Sequence, residues 1–138
     1  MGIIYLNTLN TAKKTGTFMP WAEGIDSAGI GTYTTQTGSY IKDGGIVKFN
    51  LGLAWTAHTG TGVISIKGLP YSAKAITGVV YCPTLYVHNL TFSGQLTAYI
   101  QGTSVELRVM ATGSVASGIA MDTAATIYLD GSYVANTV

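Results

Sequence analysis

Charge is scarce in this 138-residue chain: Asp, Glu, Lys and Arg make up 9% of it, against roughly 25% in an average soluble domain. Disorder is excluded, because disordered chains are charge-rich and hydrophobe-poor, whereas 47% of these residues are hydrophobic. Seven basic residues nearly balance six acidic ones. The basic residues are scattered, with Lys13-Lys14 the only close pair and Arg108 the sole arginine. A nucleic-acid partner needs a basic patch that displaces counterions, so none is expected. Long apolar runs are also missing. Nothing approaches about 20 consecutive apolar residues, which excludes a membrane-spanning helix, and no membrane partner is expected.

Cysteine is nearly absent. Cys82 stands alone, so neither an intramolecular disulfide nor a thiolate metal cluster can form. Within Val79-Val80-Tyr81-Cys82-Pro83 it reads as a small buried hydrophobe. The chain does not open with a basic stretch followed by an apolar one, so no secretory signal is read and synthesis in a cytoplasm is expected.

Catalytic patterns are missing too. His58 and His88 have no carboxylate or cysteine at ligand spacing, so no metal site is expected. His58, in the Gly/Thr-rich run His58-Thr59-Gly60-Thr61-Gly62, reads as solvated. Asp43 and Asp130 sit in turn signals, Asp26 in a Gly/Ser loop, and Glu106 beside Arg108; Glu23 and Asp122 remain unlinked, so no carboxylate pair is visible. No G-x-S-x-G elbow is present. Gly29-Ile30-Gly31 is followed by Thr34 where a dinucleotide site wants glycine. The expectation is a protein that is not an enzyme and uses no cofactor.

What the sequence does have is alternation. Val47, Phe49, Leu51, Leu53 and Trp55 fall on one face at period two, and Asp43-Gly44-Gly45 ahead of them is a hairpin signal. Leu96, Ala98 and Ile100 are expected to face Val105, Leu107 and Val109 across a second hairpin. Thr37-Gly38 and Asp130-Gly131 read as turns. Ile76–Tyr81 and Thr84–Leu90 read as β-runs split by Pro83. A helix is hard to place, since the best stretch, Met110–Met121, is interrupted by Gly113 and Gly118. Short strands at roughly 8–12-residue spacing point to an all-β antiparallel sandwich, jelly-roll-like, spanning residues 18–138. Low net charge on a Thr/Ser surface favours association, so the chain reads as a subunit of an assembly.

Residues 1–17 differ. Ile3, Ile4, Tyr5 and Leu6 form an apolar patch, followed by a polar run with both adjacent lysines. The segment reads as an N-terminal arm whose apolar patch contacts a partner, with the domain's first strand as the alternative. Among aromatic residues, Trp55 reads as core, and Trp21, just after Pro20, divides between packing cap and surface contact.

Phe18-Met19-Pro20, the run Gly31-Thr32-Tyr33-Thr34-Thr35-Gln36-Thr37-Gly38-Ser39-Tyr40-Ile41-Lys42, and Gly45-Ile46-Val47-Lys48-Phe49-Asn50 resemble a module of bacteriophage virion proteins with an F-x-P opening, Y-x-x-Q-x-G-x-Y and G-x-V-x-F. Gly60–Tyr71 is similar to its "isGLPy" element, and Ile127–Tyr133 to its closing strand. The resemblance implies a structural β-domain of a phage particle, usually trimeric, on fibres or capsid surfaces. With no heptad or repeat to build a shaft, the expected role is a capsid decoration or cement protein. It would act in the virion, as a homotrimer bound to the major capsid protein or another virion protein. The alternatives are a receptor-binding tip of a tail or head fibre and a small lectin-like module with Trp21 as its platform.

Overall fold

A computed structural model of the chain describes residues 13–136. They form ten strands: β1 (Lys13–Phe18), β2 (Trp21–Gly24), β3 (Gly31–Asp43), β4 (Ile46–His58), β5 (Ile64–Lys67), β6 (Thr84–His88), β7 (Gln95–Gln101), β8 (Ser104–Met110), β9 (Ser117–Gly118) and β10 (Ala125–Val134). No helix occurs among the described residues. One sheet has the order β1-β3-β4-β10-β6 and the other β2-β5-β8-β7, with the short β9 added to β8. All of these pairings are antiparallel. The chain crosses between sheets on either side of β2, between β4 and β5, β5 and β6, β6 and β7, and again before β10. Because β10 returns between β4 and β6, and β8 lies between β5 and β7, the path is a jelly-roll-like sandwich.

The alternation in β4 places the core. Val47, Phe49, Leu51, Leu53 and Trp55 are all buried, and they meet Ile127, Leu129 and Tyr133 of β10 within one cluster. The facing sheet adds Ile64, Ile66, Ala98, Ile100, Val105 and Leu107 to that cluster. Burying each of the large aliphatic side chains contributes about 1.5–3 kcal/mol. The β3–β4 hairpin turns at Gly44-Gly45, where Gly44 has φ 61°, a conformation that penalises residues carrying a Cβ. The β7–β8 hairpin has the expected register, with Leu96, Ala98 and Ile100 opposite Val109, Leu107 and Val105.

Several expectations are corrected. Thr37-Gly38 is not a turn: β3 runs straight through it, with Gly38 opposite Leu51 on one side and Phe18 on the other. Asp130-Gly131 also lies inside a strand, opposite Asn50 and Phe49, and a Cβ at Gly131 would sit 2.9 Å from Pro83. In both places glycine makes room for a neighbour instead of reversing the chain. Ile76–Tyr81 is a loop, closed by a hydrogen bond from Val79 N–H to the Ile76 carbonyl (3.0 Å). Cys82 is exposed, not buried. Lys13–Thr17, the last residues of the expected arm, lie in edge strand β1 paired with β3. Ile3, Ile4, Tyr5 and Leu6 lie outside the described residues.

Candidate functional site

At one end of the sandwich, a register shift in β3 around Tyr33 turns that ring inward, as bulges do. The Tyr33 hydroxyl donates to the Ala22 carbonyl (3.2 Å) and accepts from the Ala22 N–H (2.9 Å). Burial raises its pKa. Tyr33 and Trp55 meet edge to face at 6.4 Å, and the Trp55 indole N–H donates to the Asp122 carbonyl (2.9 Å). His58 completes this group and is buried, which corrects the solvated reading. Its Nδ1 accepts from the Gly60 N–H (2.9 Å), and its Nε2 lies 2.9 Å from the Ala22 carbonyl. The first contact requires an unprotonated Nδ1 and the second a protonated Nε2, so the ring is the neutral Nε2–H tautomer. Both nitrogens are committed to backbone, so this histidine is structural and ties β2 to the end of β4.

Trp21, the sequence-derived contact residue, begins β2 and remains 41% exposed. Its indole N–H donates to Glu23 (2.8 Å), and its ring rests against Gly68, where a Cβ would come within 3.0 Å. Exposed Met19 lies two residues away. Neither here nor elsewhere among the described residues do three His, Cys, Asp or Glu side chains converge as metal ligands would.

On the outer face of β7 and β8, Tyr99, Glu106 and Arg108 form a polar cluster. The Tyr99 hydroxyl donates to Glu106, and Arg108 donates to Glu106 (3.2 Å) and to the Tyr99 oxygen (3.3 Å). The bond to Glu106, followed by burial, raises the Tyr99 pKa. Arg108 Nε is buried without a partner among the described residues. The group is more enclosed than its outward alternation suggested, with only 12% of the Glu106 side chain exposed.

The outer face of the sheet that contains β4 and β10 carries an exposed aromatic pair. Tyr128 of β10 is directly opposite Tyr86 of β6, their rings stacked 6.3 Å apart at 27°. Tyr86 is 62% exposed, and His88 meets its ring edge-on at 4.8 Å. The Tyr128 ring lies over Gly52 of β4, at van der Waals distance (3.4 Å) from where a Cβ would stand. Beside the rings runs a groove of about 430 Å³ lined by Thr37, Asn50, Gly52, Tyr86, Tyr128 and Asp130. Sequence reading missed it. The alternation of Thr84-Leu85-Tyr86-Val87-His88 sends Tyr86 outward, but nothing in the sequence says that β10 lies between β4 and β6.

No protein-family model matches the chain, and no curated protein matches it significantly.

Proposed function

We propose that this chain is a structural component of a bacteriophage particle, a decoration or cement protein that assembles as a homotrimer on the outer shell. The observation carrying the reading is the resemblance of Phe18–Pro20, Gly31–Lys42, Gly45–Asn50, Gly60–Tyr71 and Ile127–Tyr133, segments that contribute to β3, β4, β5 and β10. Two features support it. Edge strand β1 pairs with β3 through Lys13–Phe18 and follows in sequence on the apolar Ile3–Leu6, so an adjoining protein has an edge and a hydrophobic anchor to engage. The sparse charge leaves little repulsion against packing copies together. Binding that favours the assembled shell stabilises it by mass action, with no bond made or broken.

The test is location and stoichiometry. Mass spectrometry and cryo-electron microscopy of purified particles should find the chain on the head, at a copy number close to that of the major shell protein. A handful of copies confined to the tail, or absence from particles, overturns the reading.

A further inference from the structure

We infer that the Tyr86–Tyr128 groove is a binding site for neutral oligosaccharides. The site stands apart from the assembly reading and does not depend on it. A pyranose ring has an apolar face of C–H bonds and an equator of hydroxyls, so its receptor needs an exposed aromatic surface beside hydrogen-bonding groups of both kinds. The aromatic surface is the Tyr86–Tyr128 pair, at 27° between planes and exposed on both members. Aromatic faces are electron-rich and attract the positive edges of C–H bonds.

The floor is Gly52. Lacking a side chain, it takes up none of the groove beside the edge of the Tyr128 ring. The polar fringe is in place: the neighbouring row of the sheet sets Ser39, Asn50, Asp130 and Thr84 in register. Ser39 Oγ donates to Asn50 Oδ1 (2.7 Å), which fixes the amide and makes its nitrogen the donor end. Asp130 supplies an acceptor, and the hydroxyls of Thr37 and Thr84 act in either sense.

Charge selects the class. Among the described residues, Asp130 is the one ionic side chain lining the groove, so sialylated, sulfated and phosphorylated glycans are repelled and uncharged hexose chains are favoured. The groove is shallow and flat, along a β-sheet face, and at about 430 Å³ it falls within the usual range for small-ligand clefts, roughly 300–1,000 Å³. That shape suits the side of an extended chain, not an enclosed single sugar.

The full-length protein is screened on an array of neutral and anionic oligosaccharides, and the strongest neutral compound is titrated calorimetrically. Binding is expected for neutral chains, weakened about ten-fold by Tyr128→Ala and by Tyr86→Ala, as expected for losing one aromatic contact. Trp21→Ala should leave it intact. Both tyrosines are exposed, and circular dichroism with thermal melting checks that the variants remain folded. As a second route, Asp130→Asn removes the negative charge lining the groove and should admit anionic glycans that the parent protein rejects; continued rejection of anionic chains by this variant overturns the charge selection. No neutral binding, affinity unmoved by both tyrosine variants, loss on Trp21→Ala, or preference of the parent protein for anionic chains overturns the site.

Discussion

The Phe18 ring covers Gly38 across the β1–β3 ladder, so closely that a Cβ on Gly38 would fall 2.6 Å from the ring. Two residues along, the opposite arrangement occurs: Tyr40 of β3 covers Gly16 of β1, with a Cβ there 2.7 Å from the hydroxyl. An aromatic ring laid over a cross-strand glycine shields the backbone that the glycine leaves bare and pins the register of an edge strand. Gly38→Ala should therefore lower stability by about 1–3 kcal/mol through overpacking. The cost should shrink when Phe18 is Leu, because the two sites share one contact. Urea unfolding of the single and double variants measures both.

The buried ring of His58 joins two backbone groups, the Gly60 N–H and the Ala22 carbonyl. Phenylalanine fills the volume but serves neither. His58→Phe should cost about 1–3 kcal/mol, because the Gly60 N–H loses its partner while the Ala22 carbonyl keeps only the Tyr33 hydroxyl. Equilibrium denaturation checks the value, and amide exchange at Gly60 should rise by more than in the rest of β4.

Tyr133 governs alkaline stability. Burial is the main reason that its pKa is pushed up to about 12; its bond to the Tyr71 carbonyl opposes this, and neighbouring Tyr71 and Tyr40 add to it. An unfolded tyrosine ionises near pH 10, so above that pH the unfolded chain loses its proton first. The stabilisation is fully present below about pH 10 and disappears as pH rises towards 12, a loss of about 1–2 kcal/mol after allowance for solvent screening. Tyr133→Phe should flatten that alkaline decline. At neutral pH the same variant should lose about 1 kcal/mol, because the hydroxyl donates to the Tyr71 carbonyl (2.7 Å) and accepts from its N–H (3.3 Å). Melting temperatures between pH 7 and 12 separate the two effects.

Deleting residues 1–6 tests the proposed attachment. The shortened chain should melt within a few degrees of the full one and lose affinity for shells lacking the protein, measured by co-sedimentation. A cooperative loss of folding would place Ile3–Leu6 in the core instead of at a partner surface.

Sequence alone determined the fold class and most of the core. Period-two alternation in Val47–Trp55 and the paired runs around Gly102 are local signals, since side chains on a strand alternate faces whatever lies around them. Glycine was ambiguous for the same local reason. Gly44 and Gly38 look alike in sequence, yet one reverses the chain with positive φ and the other clears space for Phe18, and only the partner strand distinguishes them. His58 failed as a solvated residue because its partners, Ala22 and the rings of Tyr33 and Trp55, come from other strands or another turn of the pleat. Tertiary structure likewise decided the outer groove. Tyr86, Tyr128 and Gly52 meet only because β10 returns between β4 and β6, and a strand's neighbours are set by how two whole sheets bury their apolar faces, a global choice that no short stretch of residues encodes.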